Sequence, residues 1–334
     1  MRILTVEEVA GAGVGSAVTV GTYDGVHLGH RRLLGILREK ADTLAVPAAV
    51  VTFDRHPATV VRPGSSPLLL TDNEQKLELL ASCGVDLTVV VRFDAKRAAE
   101  PPEDFVDEVL CDALAAKAVV VGEDFRFGRG RSGDVTMLRR LGAIRGFDVT
   151  GVHLVAAEGT GADDGDGGAG GTGAAGGAES ISSTRIRALI AMGDVQGAAR
   201  LLGRPHEVRG RVVHGDGRGG SQLGVPTANV DVPKSIAVPA LGIYAGWCRR
   251  ADGSSHPAAI SVGIRPTFAA SSSTPAPLVE AHLIGFDGDL YAERVGVAFV
   301  ERLREERRFE RVEDLVAQMR ADVDVASRLL TGDA

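Results

Sequence analysis

Two histidines stand where they could act on a phosphate group. His27 and His30 lie three positions apart in the string GTYDGVHLGHRRLLGIL, which follows an apolar run ending at Gly21. Because residues at i and i+3 project from one side of a helix, both imidazoles should share the first turn of the helix that follows. A helix N-terminus favours anions, and imidazoles there can donate hydrogen bonds to phosphate oxygens as charge develops. The spacing therefore predicts phosphate-transfer chemistry, with both histidines as candidate catalytic residues.

The residues just before this pair support the same interpretation. Gly21 and Gly25 permit tight backbone turns where the helix begins, and together with Asp24 they are predicted to contribute to phosphate binding. For an isolated pair of histidines, a helix cap beside a turn would be the better explanation. The preceding strand, glycine and aspartate make that alternative much weaker.

A second polar group occurs in the string GRVVHGDGRGGSQLGVPTANV at 210–230. In an extended segment Thr227 and Asn229 point the same way, while Ala228 and Val230 point the other way. Hydroxyl and amide oxygens on one face suit a hard cation such as Mg²⁺, which borrows further oxygens from nucleotide phosphates. For PTAN alone, an edge strand started by proline would be the better explanation. Thr227 and Asn229 are our candidate ligands for Mg²⁺ or another divalent cation.

A carboxylate further along the chain could act as a base. In LVEAHLIGFDGDLY at 278–291, strand alternation places Val279, Ala281 and Leu283 on one face and Glu280 and His282 on the other. A carboxylate within reach of a primary alcohol can accept its proton as the alcohol attacks ATP. Glu280 is therefore a candidate catalytic base. Without a kinase context, an exposed strand glutamate would be the default interpretation.

Length and composition describe the kind of protein that carries these groups. The 334 residues exceed the usual size of one domain, so two domains are expected. No apolar stretch of about 18 residues and no signal-peptide core occur, which predicts a cytosolic protein without membrane attachment. A net charge of −7 argues against broad nucleic-acid binding, and the three dispersed cysteines indicate neither disulfides nor a zinc site. Nothing in the sequence indicates an obligate protein partner.

Hydrophobic patterning divides the chain into two parts. Apolar runs at 17–21, 48–53, 87–91 and 118–122 alternate with helical patterns, which predicts a doubly wound α/β domain over residues 1–202. Residues 159–177 contain ten glycines and are predicted to form a flexible loop inside it. After Gly203, short strands with turn signals predict a small antiparallel barrel, closed by a C-terminal helix, over residues 203–334.

The first half resembles the nucleotidylyltransferase superfamily and, in its longer strings, the FAD synthetase branch. GTYDGVHLGH resembles the HxGH signature, with Tyr23 where the branch commonly has Phe, and ISSTRIR at 181–187 resembles the second signature, ISSTxxR. By resemblance, Ser183, Thr184 and Arg187 would hold the ATP phosphates. VVGEDFRFGRG at 120–130 would place three residues near nucleotide or flavin: Asp124, Phe125 and Arg126. TFDRHP at 52–57 matches a family motif except for Arg55.

The second half resembles riboflavin kinases. The resemblance rests on the glycine-rich loop joined to PTAN and extends through GIRPTF, GDLYAE and LREERRF. It implies that Thr227 and Asn229 assist metal and ATP binding, that Glu280 is the base, and that Arg304 contacts flavin. The loop residues implied in ATP phosphate binding are Gly215, Gly217, Arg218 and Gly219. Arg265 stands where other members often carry Asn or Thr, and Ala292 stands where they often carry Gly.

Together the two resemblances imply a Rossmann-like nucleotidylyltransferase domain followed by a riboflavin kinase barrel. The implied enzyme phosphorylates the alcohol of riboflavin to give FMN and then transfers an adenylyl group from ATP to FMN, which gives FAD and pyrophosphate. Riboflavin, FMN and ATP are its expected partners. Two alternatives remain at this point: a kinase with a decayed adenylyltransferase domain, and a flavin-binding regulator without turnover.

Overall fold

The computed structural model describes residues 1–9, 15–153, 181–214, 225–264 and 277–332. Its contacts divide the chain into a first unit, Met1–Pro67 with Asn73–Ser182, and a second unit, Leu68–Asp72 with Ser183–Ala334. The helical segment after residue 182 thus groups with the second unit. The predicted domain boundary between residues 202 and 203 stays a prediction, and the predicted loop at 159–177 lies outside the described residues.

A parallel sheet forms the centre of the first unit. In chain order the strands of this unit are β1 (Arg2–Leu4), β2 (Ser16–Val20), β3 (Ala48–Phe53), β4 (Leu87–Val91), β5 (Ala116–Gly122), β6 (Arg126–Phe127), β7 (Gly133–Asp134) and β8 (Asp148–Val152). β6 and β7 pair as a small antiparallel ribbon, and the other six lie in the order β1-β4-β3-β2-β5-β8 with every neighbour parallel. The predicted α/β fold is confirmed, and β1 and β8 are additions to the predicted strands.

Helices cover both faces of this sheet. They are α1 (Val6–Val9), α2 (Leu28–Leu44), α3 (Ala58–Val61), α4 (Asn73–Ser82), α5 (Ala95–Ala98), α6 (Pro102–Phe105), a π-helical stretch (Val106–Ala113) and α7 (Val135–Arg145), with short 3₁₀ turns at Pro63–Ser65 and Arg129–Arg131. Leu33, Leu34 and Leu37 of α2 pack with Val50 and Val120 on one face. Alternate strand residues pack on the other face, mainly against the π-helical stretch and α7. Burial on both faces explains why these strands are apolar throughout.

The second unit contains a closed antiparallel barrel. Its elements are α8 (Ser183–Met192), α9 (Val195–Leu202), β9 (His206–Val213), β10 (Ala228–Asp231), β11 (Gly242–Arg249), β12 (Ser255–Ile264), β13 (Pro277–Leu283), β14 (Arg294–Arg304) and α10 (Val312–Thr331). The barrel order is β10-β13-β12-β11-β14-β9, and all six pairings are antiparallel. Inward-facing Val208, Val230, Ile260, Val279 and Phe299 fill the interior. The predicted barrel and closing helix are confirmed.

No helix in the parts of the chain that the structure describes is long and apolar enough to cross a membrane.

Candidate active sites

In the first unit, a sharply bent turn joins the carboxyl end of β2 to α2. Gly25 has φ 84°, a left-handed conformation that glycine adopts without a Cβ clash. Tyr23 (φ 51°) and Val26 (φ 38°) are also left-handed, and for a β-branched residue such as Val26 this is a rare conformation. Residues held in such conformations need over-determining surroundings and cluster at functional sites. The full burial of Val26 helps to hold this turn.

The two histidines lie together at the end of this turn. His27 is the N-cap of α2, and its Nδ1 accepts a hydrogen bond from the backbone N–H of His30 at 3.3 Å. The two rings stack with centroids 3.6 Å apart and planes 14° from parallel. Because Nδ1 of His27 accepts this bond, Nε2 is the ring nitrogen that carries the proton, and it is the atom of this ring that can act as a hydrogen-bond donor.

The surroundings of His30 keep its ring neutral. Burial of the ring, and secondarily the neighbouring imidazole of His27, hold the pKa of His30 well below its ordinary value of 6.5. Its Nδ1 is buried and has no hydrogen-bond partner among the described residues. A neutral imidazole offers one donor and one acceptor, and an unsatisfied buried nitrogen is a position that a ligand atom can satisfy.

Tyr23, the residue that replaces the usual Phe, forms the base of the histidine pair. Its ring lies 5.0 Å from the His30 ring, and its hydroxyl is 2.6 Å from the hydroxyl of Thr19 on β2. Burial raises the pKa of the Tyr23 phenol well above its usual range, although the Thr19 bond partly offsets this. A Cβ on Gly21 would lie 3.0 Å from the Tyr23 ring. Thr19 thus satisfies the added hydroxyl, and Gly21 gives the ring its space.

The segment after β5 presents the predicted flavin or nucleotide contacts. Phe125 is half-buried, and its ring stacks on that of Phe127 with centroids 5.4 Å apart. Asp124 and Arg126 are exposed on either side of it. Phe127 belongs to the hydrophobic core, and Phe125 packs against that core. Phe125 is partly exposed and follows the carboxyl end of β5, and open α/β sheets bind ligands at that edge.

The TFDRHP segment at the end of β3 is held by local contacts. Arg55 pairs with the carboxylate of Asp54 at 2.9 Å, and His56 Nδ1 accepts a hydrogen bond from the backbone N–H of Ala58 at 3.1 Å. Behind this segment lies Lys76 of α4, a buried lysine that the sequence analysis did not single out. In the sequence, Lys76 occupies an ordinary polar position of a helix. Its burial is evident only from the fold.

The ISSTRIR signature lies at the start of α8, in the second unit. Ser183 is the first residue of the helix, Thr184 is exposed, and Arg187 donates from Nε to the carbonyl of Leu68 at 2.6 Å. The predicted helix is present. Two hydroxyls at a helix start and a partly exposed guanidinium are groups that suit an anion.

The candidate kinase residues come together on the outer face of the barrel. Asn229 of β10 and Glu280 of β13 are directly paired across the strands, and Ser261 of β12 is paired with Glu280 on its other side. Their neighbours Val230 and Val279 are buried in the interior, so the polar side chains face outward, as the alternation predicts. Directly opposite residues have Cβ atoms about 4.5–5.5 Å apart. The amide and the carboxylate are therefore within reach of one small ligand.

Thr227 and His282 extend this row. Thr227, just before β10, is half-buried, and His282 Nδ1 donates to the carbonyl of Pro226 at 2.7 Å, which ties β13 to the PTAN segment. In the described part of the chain, no three His, Cys, Asp or Glu side chains are grouped to hold a metal. The donors at this site are instead hydroxyl, amide and carboxylate oxygens, which fit Mg²⁺ bound partly through nucleotide phosphates. Gly215, Gly217, Arg218 and Gly219, like Arg265, lie outside the described residues.

Arg304, the predicted flavin contact, already has a protein partner. Its guanidinium forms a bidentate ion pair with Asp322 of α10, with Nε 2.9 Å from Oδ1 and Nη2 2.6 Å from Oδ2. Gln318 Nε2 donates to the same carboxylate at 2.9 Å. The ion pair supplies an opposite charge for Asp322, which is buried on α10.

Two family models match consecutive parts of the chain. The FAD synthetase family model matches residues 12–162, and the riboflavin kinase family model matches residues 202–330. The bifunctional riboflavin kinase/FMN adenylyltransferase of Pseudomonas fluorescens is 36% identical over 320 residues, which are 96% of this chain and 94% of that protein. The protein of the same name from Escherichia coli K12 is 35% identical over 308 residues, 92% of this chain and 90% of the relative.

One solved structure is similar over nearly the whole chain. It is the crystal structure of a macrolide-efflux protein from Streptococcus pneumoniae, with a TM-score of 0.81, 29% sequence identity, and 98% of each chain covered. The likeness extends through both the parallel-sheet unit and the barrel unit.

Proposed function

Because the chain belongs to the family of bifunctional riboflavin kinase/FMN adenylyltransferases, we propose that it catalyses both reactions, with the reacting groups of one in residues 12–162 and those of the other in residues 202–330. The barrel unit would phosphorylate riboflavin with ATP to give FMN. The parallel-sheet unit would join the adenylyl group of a second ATP to FMN, giving FAD and pyrophosphate. The observation that carries this division is that the paired histidines lie within the FAD synthetase match, whereas the Asn229–Glu280 pair lies within the riboflavin kinase match.

The two nucleophiles differ in what they need from the protein. Riboflavin presents a neutral alcohol, which has to lose a proton as it attacks. FMN presents a phosphate that is largely ionised at neutral pH, because its second pKa is about 6. A carboxylate base suits the first reaction, and neutral hydrogen-bond donors around a polyphosphate suit the second.

In the kinase reaction, Glu280 would accept the proton of the riboflavin alcohol as its oxygen attacks the γ-phosphorus of ATP. Asn229, directly across the ladder, and Thr227 would supply oxygen ligands for Mg²⁺. When bound, the cation supplies charge neutralisation on the transferring phosphoryl group. The predicted glycine-rich loop at Gly215–Gly219 would bind the ATP phosphates, and Arg304 would contact the flavin.

In the adenylyl transfer, an FMN phosphate oxygen attacks the α-phosphorus of ATP, and the bond from that phosphorus to the bridging oxygen of pyrophosphate breaks. His27 would donate its Nε2–H to a phosphate oxygen, and the neutral His30 would add the second imidazole. Gly21, Asp24 and Gly25 would shape the phosphate-binding turn. Ser183, Thr184 and Arg187 are proposed to hold the triphosphate, and Asp124, Phe125 and Arg126 to contact flavin or nucleotide.

Each of the two alternatives lacks at least one of the two reactions. A kinase with a decayed second domain would lack FAD formation, and a flavin-binding regulator would lack both reactions. The intact histidine pair and the aligned Asn229 and Glu280 support turnover in both units. We also propose that the enzyme works in the cytosol, where ATP is supplied.

The experiment that tests the proposal is a product assay. Purified full-length protein is incubated with riboflavin, ATP and Mg²⁺, and the flavins are resolved chromatographically over time. FMN should form first and FAD should follow, and protein given FMN directly should form FAD alone. FMN without FAD would support the decayed-domain alternative, and neither product would overturn the proposal.

A further inference from the structure

Lys76 of α4 is a buried lysine at the carboxyl edge of the parallel sheet. Lys76 is only 7% exposed. Its Nζ donates a hydrogen bond to the carbonyl of Phe53, the last residue of β3, at 2.9 Å. Among the described residues, this is the hydrogen bond that the Lys76 ammonium donates. An ammonium carries three donors, so two N–H groups remain. Lysine is almost never buried to this extent unless an opposite charge accompanies it.

Two carboxylates provide that charge. Asp24, in the turn between β2 and α2, and Asp54, just after β3, both attract the Lys76 ammonium, and the attraction from Asp24 is the larger. Asp54 also accepts hydrogen bonds from the backbone N–H of Phe93 at 2.9 Å and from Arg55. Asp24 is itself only 3% exposed. Among the described residues these two are the charged groups that act on Lys76.

The start of α4 is fixed on the end of β3 by a second contact. Asn73 Nδ2 donates to the carbonyl of Asp54 at 2.6 Å, next to the bond from Lys76 to the carbonyl of Phe53. β3 is the immediate neighbour of β2 in the sheet. Lys76 therefore lies at the end of the strand next to β2, from which the turn leaves. That turn contains the left-handed Tyr23 and Val26 and leads directly into His27.

We propose that Lys76 is a positioning residue for adenylyl transfer: anchored on the Phe53 carbonyl at the end of β3, its buried ammonium attracts the buried Asp24 carboxylate and thereby stabilises the turn that presents His27 and His30. A turn with two non-glycine residues at positive φ needs such support, because each of these conformations is unfavourable by itself. The inference rests on the proposed assignment of adenylyl transfer to this unit. It gives a physical basis for the role of Asp24 in shaping the turn.

The charge of Lys76 depends on pH in an accessible range. Burial lowers the pKa of the ammonium to about 8, although Asp24 and Asp54 oppose the shift. The group is therefore mostly charged at neutral pH and loses its proton as the pH rises through about 8. If the charge holds Asp24 in place, adenylyl transfer should weaken over the same interval.

The first test uses Lys76→Met in the full-length protein, with FMN, ATP and Mg²⁺ as substrates. Because misplacing reacting groups costs rate, we expect kcat for FAD formation to fall by about 10- to 100-fold while the KM for FMN changes little. Phosphorylation of riboflavin by the same preparation reports that the protein is intact and should be unchanged. Lys96→Met, which removes an exposed lysine of the same unit, is the matched control and should retain wild-type FAD formation.

The second test measures kcat/KM for FAD formation against pH. The wild-type value should fall above about pH 8, Lys76→Arg should move that fall to higher pH because arginine keeps its charge, and Lys76→Met should lose it. Wild-type kcat at neutral pH in Lys76→Met, or an unchanged alkaline fall in that variant, would overturn the proposal for Lys76. Absence of FAD formation by the wild-type protein would instead overturn the assignment of the unit, so the two failures are distinguishable.

Discussion

Asn229 and Glu280 face each other across the β10–β13 ladder, on the outer surface of the barrel. This places an amide oxygen and a carboxylate side by side, with neither committed to the interior, where Val230 and Val279 pack. The register that creates the pair follows from alternation, since a slip of one residue in either strand would turn the polar group of that strand inward. The proposed metal ligand and the proposed base are thus positioned by the same hydrogen-bonded ladder.

Replacing Glu280 with Gln should abolish FMN formation and leave FAD formation from FMN intact. The amide keeps the size of the side chain but cannot accept the alcohol proton, so a loss of about 100-fold or more in kcat is expected for the kinase reaction. Chromatography of the products from riboflavin and, separately, from FMN measures both rates. Glu301→Gln, on β14 of the same barrel, is the control. Equal loss of both reactions in folded Glu280→Gln would contradict the division between units.

Replacing His27 and His30 together with Ala should produce the converse result. Removal of preorganised donors from a phosphate site costs about 100- to 1000-fold in rate, so FAD formation should nearly stop while riboflavin phosphorylation continues. The same two-substrate assay measures the change, and His153→Ala, beyond the end of β8, serves as the control. FAD formation at near wild-type rates would show that the histidine pair has been assigned the wrong role.

Ala292→Gly should stabilise the barrel unit. Ala292 has φ 62°, which costs a residue with a Cβ about 1–2 kcal/mol, whereas the greater freedom of glycine in the unfolded chain offsets about 0.5–1 kcal/mol of the gain. A rise in Tm of about 1–4 °C follows for a unit of this size. The chain's one tryptophan, Trp247, lies in β11, so its fluorescence reports unfolding of the barrel in the full-length protein.

Ala251→Gly is the matched control for that prediction. Ala251 is an exposed turn residue outside the left-handed region, so glycine there should lower Tm slightly. A decrease in Tm for Ala292→Gly as well would mean that the Ala292 side chain contributes more than its backbone conformation costs.

The barrel unit should lose stability in mild acid because of His206. This buried residue donates from Nε2 to the carbonyl of Ala237 at 2.8 Å, and burial lowers the pKa of its imidazole to about 4 from 6.5. Between these values the unfolded chain binds the proton and the folded chain does not, so the free energy of unfolding falls as pH falls from 6.5 to 4. The slope from this group is at most about 1.4 kcal/mol per pH unit.

His206→Gln tests that prediction by removing the titrating group. Urea unfolding followed by Trp247 fluorescence should give a free energy of unfolding that falls less steeply from pH 6.5 to 4 in the variant than in the wild type. Parallel curves for the two proteins would exclude His206 as a source of the acid sensitivity.

Sequence patterns captured the continuous parts of the fold. Apolar runs predicted the buried strands, and turn spacing predicted the barrel, because burial on both faces or on one face leaves a direct signature. β1 has only three residues, and β8 carries Asp148 and Gly151, so neither has such a signature. The grouping of α8 and α9 with the barrel depends on Ile186, Ile190 and Leu202 packing with Ala237, a contact between distant segments that periodicity cannot specify.

The same limit applies to the candidate sites. The histidine pair and the outward row at Glu280 follow from spacing within one segment, so the sequence predicted which side chains lie together. Lys76 and Asp322 occupy polar positions of amphipathic helices, and their burial becomes intelligible only beside partners from distant segments, Phe53 and Arg304. Charged residues whose partners are remote in sequence are therefore the groups that such patterns miss.

The bidentate ion pair between Arg304 and Asp322 has a consequence for the binding of riboflavin. If Arg304 left Asp322 to contact a flavin, the Asp322 carboxylate, which is buried on α10, would lose its partner, and an unpaired buried charge is strongly unfavourable. Substrate affinity at this position would then be set by competition, with the terminal helix as the rival ligand. A stronger interaction between Asp322 and Arg304 would make the binding free energy of riboflavin less favourable by the same amount.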